Sequence, residues 1–415
     1  MDKAVKEAAG PRVAFSPYQK FVIAVLAFLQ FTIILDFMII SPLGAMMMPT
    51  LHITPQQFGL AVSSYAFSAG ISGLAAAGFA DRFDRKRLLL FFYAGFLLGT
   101  LLCALAQNYP MLLVARIVTG LFGGVIGSVV MAIATDLFPL EMRGRVMGFL
   151  GTAFAASQVL GLPAGLFFAN HWDWHAPFMA IIAVAAPVGL VILFAMKPVT
   201  GHLALRQERS PFQHLAHTVT EPRYRLAFIL TMLLPTGGYM LMPFGTAYIV
   251  GNIGLSFATL PTIYLITGLC TAFIGPLVGK ASDSFGKFNT FCFGTLLTLV
   301  MVAIWTNLGR EPLAIVIVVN VVLFVGIFSR MIPSQALLSA IPEMTKRGAF
   351  NAINASLQQF AGGVSAAIAG AVIVEGADGS LRHFNWLGYI VMAISLVALT
   401  LMYFVHKQVP ERPAH

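Results

Sequence analysis

Apolar residues along this chain gather into long runs separated by short polar breaks. Twelve runs can be marked, at approximately 21–43, 57–79, 88–106, 111–134, 146–169, 177–196, 226–250, 260–278, 290–308, 313–337, 349–374 and 386–405. A run of about 20 apolar residues is long enough to cross a bilayer as a helix. A helix also satisfies its own backbone hydrogen bonds, which hydrocarbon cannot do. The pattern therefore predicts an all-α membrane protein with twelve transmembrane helices. Residues 1–20 form an N-terminal segment, 197–225 a linker and 406–415 a tail. No soluble domain is left over, because the linker is the longest polar stretch.

Composition sharpens this reading. The chain has 415 residues, of which 58% are hydrophobic and 10% charged. A soluble domain carries about 25% charged residues, so most of this surface faces something other than water. With the N-terminus inside, 21 of the 25 Lys and Arg fall on the inner side. The outer loops hold Arg310 and Arg382, while Arg116 and Arg330 lie within spans. This asymmetry follows the positive-inside rule and predicts cytoplasmic termini. The net charge of +9 is then a topology signal, and nucleic acid is not a predicted partner. Cys103, Cys270 and Cys292 all fall in spans, so neither a disulfide framework nor a metal site is predicted. The first 20 residues are polar and the first span exceeds a signal-peptide core, so that span is read as a retained anchor.

The chain also repeats itself. Asp81-Arg82-Phe83-Asp84-Arg85-Lys86-Arg87 follows one apolar run, and Asp283-Ser284-Phe285-Gly286-Lys287 follows another 202 residues later. At that offset Thr54 pairs with Ser256, each placed to cap a helix. Glu141-Met142-Arg143-Gly144 pairs approximately with Glu343-Met344 and Arg347-Gly348. Two six-span halves, 21–196 and 226–405, joined by a basic linker resemble the major facilitator superfamily. The repeated loop is similar to the family motif G-x-x-x-D-r-x-G-r-k/r, matched in the second copy by Gly279, Asp283, Gly286 and Lys287. The first copy supplies Asp81, Arg82, Arg85 and Lys86, with Ala77 and Asp84 in the two Gly positions. Three further features resemble proton-linked drug and sugar exporters of the arabinose-efflux-like branch. They are Leu35-Asp36 with Pro42, Arg116-x-x-x-Gly120-x-x-Gly123, and Gly161-x-Pro163-x-Gly165. In the last, Leu162 stands where the family form has Gly.

The resemblance implies two six-helix bundles that rock about a central pathway. It places Asp81 near the start of span 11 and Asp283 near the start of span 5. There each carboxylate would meet free N–H groups at a helix N-terminus, and Asp81, Arg82, Arg85, Asp283, Gly286 and Lys287 would form a latch. The alternative is that these charges only set topology. Small residues recur every fourth position at Ala69, Gly73 and Ala77, at Gly120, Gly124 and Ser128, at Gly268 and Ala272, and at Gly362, Ala366 and Gly370. Such faces let backbones approach, either as static packing or as surfaces that slide.

Of 16 acidic residues, only Asp36 lies well within a span. An ionisable group at such depth costs about 2.5–3.5 kcal/mol on insertion scales and marks a function or a partner. Burial disfavours a carboxylate and a nearby guanidinium favours it, so Asp36 is predicted to carry the coupled proton, with Arg116 as its partner. A structural Asp bonded to a neighbouring helix is the alternative. Its repeat mate is Gly238, so the charge belongs to one half. The resemblance implies a cavity lined partly by spans 1, 4, 7 and 10, with Gln30, Phe37, Met38, Tyr239, Met242, Asn320, Arg330 and Gln335 as candidates. Asn351, Asn354 and Gln358 add one face of span 11. Arg330 could bind an anionic group or pair internally. The 35 Phe and 19 Met suit amphipathic cargo.

These features predict a proton-coupled exporter of small organic molecules in the cell inner membrane, working as a monomer without a cofactor. Symport or uniport of a sugar, organic anion or lipid-like substrate is the alternative, and a membrane sensor the reading from another class. No His-Glu-x-x-His, Gly-x-Ser-x-Gly or Gly-x-x-x-x-Gly-Lys-Ser/Thr sequence points to an enzyme.

Overall fold

Helix boundaries in the computed structural model, which describes residues 14–204, 211–343 and 346–408, follow from capping chemistry. Helix α1 (Pro17–Leu51) begins with a capping box: Ser16 accepts from the Gln19 N–H, and the Gln19 side chain returns to the Ser16 N–H. Its end is the left-handed His52, with φ 51°. Helix α2 (Pro55–Ala76) repeats the box with Thr54 and Gln57. Asp84 and Asn108 cap α3 (Arg85–Ala104) and α4 (Tyr109–Leu137). The first half closes with α5 (Glu141–His171) and α6 (Ala176–Ala195). The second half comprises α7 (Pro222–Ile253), α8 (Phe257–Phe285), α9 (Lys287–Trp305), α10 (Leu313–Ala340), α11 (Arg347–Val372) and α12 (Phe384–Gln408). Ser256 caps the turn that opens α8.

By length and apolarity, 11 of these described helices suffice to cross a membrane. The remaining helix, α11, is 26 residues long but carries Asn351, Asn354, Gln358 and Gln359. Asn354 and Gln359 meet hydroxyls of α7, which offsets the cost of placing them within the membrane, while Asn351 and Gln358 are exposed.

Three details differ from the pattern-based spans. The pattern predicts a first span ending at residue 43, and α1 continues through Pro42 and Pro49 to Leu51. The twelve-helix body is followed past α11 by a short antiparallel hairpin, Val374–Glu375 with Leu381–Arg382. The linker contains a helix, Pro211–Thr220, packed on α11. Residues 1–13, 205–210 and 409–415 of the terminal and linker segments, and Met344 of the repeated loop, lie outside the described residues.

The repeat is visible in the packing. In the first half α1 packs on α5, α2 on α4, α3 on α4, and α3 on α6. In the second half α7 packs on α11, α8 on α10, α9 on α10, and α9 on α12, each the same pair six helices later. Between the halves, α2 packs on α11, α5 on α8, and α1 on α7. The first two seams are exchanged by the same shift of six.

Glycine sets how close the seams come. A Cβ on Gly59 of α2 would meet the Ala366 carbonyl oxygen at 2.6 Å, and one on Gly370 of α11 would meet the Pro55 oxygen at 2.7 Å. On α8, a Cβ at Gly268 would lie 2.9 Å from the Gln158 oxygen of α5. These contacts lie at the end opposite the repeated loops and at mid-depth. Toward the loop end the two stripes of α5 and α8 part. Gly144, Gly148 and Gly151 on α5, and Gly275 and Gly279 on α8, have no atom within 4 Å of a built Cβ. Residues 144, 148, 151, 155 and 158 share one helical face, as do 268, 272, 275 and 279. The halves are therefore joined at the far end and the middle, and splayed along α5 and α8 at the loop end.

This geometry separates two substitutions on one helix. Gly268→Leu drives a side chain into backbone and is expected to lower stability by about 1–3 kcal/mol. Gly275→Leu enters open space and is expected to leave the melting temperature of the detergent-solubilised protein nearly unchanged.

Candidate functional site

Asp36 is at the centre of α1. The midpoint of that helix is residue 34, so Asp36 lies two residues past it, about 3 Å along the axis. The predicted span 21–43 has its middle at residue 32, which would set Asp36 four residues past the centre. Both Asp36 and Arg116 of α4 are 0% exposed, and Arg116 Nη1 lies 3.1 Å from Asp36 Oδ2. Thr100 of α3 offers its hydroxyl to Asp36 Oδ1 at 3.1 Å and to the Phe96 carbonyl at 3.0 Å, sharing one proton between two acceptors. The guanidinium carbon of Arg116 sits 4.5 Å from the centre of the Tyr65 ring on α2. Arg116 Nε and Nη2 have no hydrogen-bond acceptor among the described residues. One carboxylate and one aromatic face thus hold a fully buried cation.

Close helix approach makes this cluster possible. A Cβ on Gly99 of α3 would meet the Thr119 nitrogen at 2.6 Å, and Gly120 lies directly against Tyr65 and Ser68. Arg116 is one turn before those contacts, so its side chain enters a space walled by three helices. On the opposite flank of α1, Leu35 and Ile39 bracket Asp36 and press on α5. A Cβ on Gly161 would meet Leu35 Cδ1 at 2.7 Å, and one on Gly165 would meet Ile39 Cδ1 at 2.6 Å. Between them Pro163 lacks an N–H and crowds the carbonyl four residues back. The helix responds by widening into a π turn at Ser157–Gly161. Ser157 in that turn donates to the Phe31 carbonyl of α1 at 3.1 Å. The Gly161, Pro163, Gly165 motif therefore acts on the helix that carries Asp36.

A line of aromatic rings runs from this cluster to the other half. Phe37 lies 5.3 Å from Tyr65 and 5.7 Å from Tyr239 of α7, centre to centre. The Tyr239 hydroxyl donates to Gln359 Oε1 on α11 at 2.9 Å.

The cavity candidates divide by placement. Gln30, Phe37, Met38, Tyr239 and Met242 are half-buried on α1 and α7. Asn354 accepts from Thr231 of α7 at 3.0 Å, while Gln335, Asn351 and Gln358 are exposed. Asn320 instead donates to Thr267 of α8 at 3.0 Å. Arg330 donates to Ser395 of α12 at 3.1 Å beside the Phe291 ring of α9. Both are buried inside the second half, and Arg330 Nε has no acceptor among the described residues. Tyr65, Thr100 and Gln359 carry no signal in the linear sequence, since none lies on a charged or periodic pattern.

The loop residues are engaged locally. Arg85 binds Asp81 at 2.6 Å and Asp136 of α4 at 3.1 Å, while Asp81 stays 48% exposed. Asp283 pairs with Lys287 at 3.5 Å and is 79% exposed. In the state described, the carboxylates of Asp81 and Asp283 each take the cation four residues on, and neither bonds to α11 or α5. Arg82 is exposed, and Gly286 supplies the φ of 90° that joins α8 to α9. Asp84, in place of the motif glycine, accepts from the Lys86 N–H at 3.0 Å and from the Val199 N–H at 2.9 Å. It thereby fastens the start of the linker to the loop.

The two members of the buried pair are not equivalent on removal. A carboxyl stranded by Arg116→Met can take up a proton, whereas the guanidinium stranded by Asp36→Asn stays charged. Asp36→Asn is expected to cost more in thermal unfolding, up to about 3 kcal/mol. The double variant should recover part of that loss.

Known proteins bear on the arrangement. The sequence profile of the Major Facilitator Superfamily matches residues 26–366 and 227–415. The uncharacterized MFS-type transporter YceJ of Bacillus subtilis (strain 168) is 27% identical over 272 residues, 65% of this chain and 68% of that protein. Multidrug resistance protein 3 of the same organism is 33% identical over 139 residues, 33% of this chain and 26% of that protein. Among solved structures, a bacterial homolog of the human lysosomal transporter Spinster, inward-facing and unoccupied, superposes with a TM-score of 0.76. It is 15% identical, and the match covers 97% of this chain and 100% of the other. With a family profile spanning both halves and the same helical fold, the chain belongs to the major facilitator superfamily of membrane transporters.

Proposed function

We propose that this chain is a proton-coupled exporter of small amphipathic organic molecules, working by alternating access in the cell inner membrane. The loop end, where α1 begins and α12 ends, is the cytoplasmic end under the positive-inside rule, since the sequence assigns 21 of its 25 Lys and Arg to that side. The splayed α5 and α8 then open the pathway inward. The observation that carries the reading is the fully buried Asp36–Arg116 pair beside the seam between the halves.

Protons and cargo compete through that pair. With Asp36 ionised, Arg116 is neutralised and the first half holds the packing described. Protonation cancels the attraction and leaves Arg116 with its aromatic face alone. Burial and the neighbouring cation act on the carboxyl in opposite directions, so a change in water access between two states loads or releases a proton. Outward opening brings the α5 and α8 glycine stripes together at the loop end. Asp81 and Asp283 would then reach the starts of α11 and α5 and hold that end shut. Cargo occupies the space bordered by Gln30, Phe37, Met38, Tyr239 and Met242, where unbranched Met and aromatic rings adapt to varied apolar shapes. The buried cluster supplies one proton site to each chain, so a monomer suffices.

Proteoliposomes with an imposed pH gradient and a lipophilic cationic dye test the coupling. Gradient-driven accumulation is expected to fall about tenfold in Asp36→Asn, while downhill exchange of the dye persists. Undiminished gradient-driven accumulation in that variant would refute the proposal. The access cycle has its own test. Gly275→Leu, tolerated by the fold, should obstruct closure of α5 on α8, abolish net transport, and leave cysteines placed at Gly148 and Gly279 reactive from the cytoplasmic side.

A further inference from the structure

We infer that Tyr239 and Gln359 are positioning residues through which the charge state of Asp36 sets the packing of the two halves. The inference rests on the proton-coupling reading above and specifies how that signal would leave the first half. Asp36 is enclosed within α1, α3 and α4, and its hydrogen bonds, to Thr100 and Arg116, both stay within the first half. A carboxyl so enclosed can govern a movement between halves only through groups that touch both its own cluster and the opposing helices.

One contiguous set does so. Arg116 lies on the Tyr65 ring, Tyr65 on Phe37, and Phe37 on Tyr239. Tyr239 ends this line with a hydrogen bond to Gln359, and its ring covers Gly362 so closely that no Cβ would fit there. Gly362 and Gln359 are on α11, the helix that forms the α2 seam. The residue after Gly362, Gly363, accepts from Ser63 of α2 at 2.7 Å through its carbonyl. A Cβ on Gly363 would meet the Phe67 ring at 3.0 Å. Tyr239 therefore holds α11 one residue away from where α2 grips it.

The physical step is a change in what Arg116 needs. Ionised Asp36 takes one of its N–H groups, and two nitrogens already lack acceptors. When Asp36 becomes neutral, the buried cation has the Tyr65 face as its remaining favourable contact, and a desolvated cation–π contact strengthens as the ring is approached. Movement of Tyr65 displaces Phe37 and then Tyr239, whose hydroxyl is pinned to α11. The titratable or charged groups around Asp36 are Arg116 on α4, Tyr65 on α2, Cys103 on α3 and Tyr239 on α7. Helix α5 presents Gly161 and Gly165 to the neighbouring residues Leu35 and Ile39.

A double-mutant cycle tests the link. Spin labels at Phe149→Cys and Leu277→Cys, in a background with the three native cysteines replaced, report loop-end opening in lipid nanodiscs. Asp36→Asn, which mimics the protonated acid, is expected to move the open-to-closed ratio about fivefold. In a Tyr239→Phe background, which keeps the ring and removes the hydroxyl, the same substitution should move it less than about twofold. Gln359→Met removes the acceptor instead and should give the same loss, so poor folding of either variant leaves the other to decide. A merely structural role would lower the melting temperature and leave the Asp36-dependent shift intact. That result in both backgrounds overturns the inference while the coupling reading stands. If Asp36→Asn moves nothing even with Tyr239 and Gln359 present, the coupling reading fails and the inference fails with it.

Discussion

Close backbone approach at small residues is the constraint on which this structure depends. Lipid tails are as apolar as a leucine side chain, so helices in a bilayer gain little hydrophobic energy from meeting each other. Contact must come from packing, and packing is best where no side chain intervenes. Gly59 against Ala366 and Gly370, and Gly268 against Gln158, are such places between the halves. Gly99 and Gly120 do the same within the first half. A seam built this way is narrow and can be left without exposing a large greasy surface. Parting of α5 from α8 beyond Gly268 is an instance of that property.

The Asp36–Arg116 pair depends on the same contacts. Two charges far from water are costly to bury, and each is tolerable only while the other stays in place. Gly99 and Gly120 bring α3 and α2 onto α4, which sets Thr100 and Tyr65 beside the pair. Gly161 and Gly165 bring α5 onto the other flank of α1 through Leu35 and Ile39. The pair is thus held by helices of the first half, three of which, α1, α2 and α5, also form seams with the second. Shifts at that seam bear on the environment of Asp36, and a change of charge at Asp36 bears on the seam.

The loop end shows how a departure from a family pattern can be absorbed. Aspartate at position 84 replaces a motif glycine, yet it caps α3 and takes the Val199 N–H of the linker. Arg85 joins the loop to Asp136 on α4. These bonds make the first-half loop a fixed part of its own bundle. The second-half loop, with Asp283 bound only to Lys287 among the described residues, has fewer ties.

Hydropathy along the chain marked the helices, because a crossing needs a minimum length of largely apolar chain, which 11 of the described helices have. The 202-residue repeat determined that the two halves share a packing plan, and the pairs six helices apart follow it. The lone intramembrane acid and a motif arginine were likewise legible, since a charge in an apolar run stands out whatever its partners. Tertiary structure alone decided where side chains point around each helix axis. Arg330 turns to Ser395 and Asn320 turns to Thr267 because of neighbours contributed by distant segments. Tyr65, Thr100 and Gln359 entered the site the same way: each is an ordinary polar or aromatic residue until helix packing brings it against a charge or a ring. Linear pattern carries the period of a helix and the depth of a residue, but the rotation of one helix against another is set by which small residues meet.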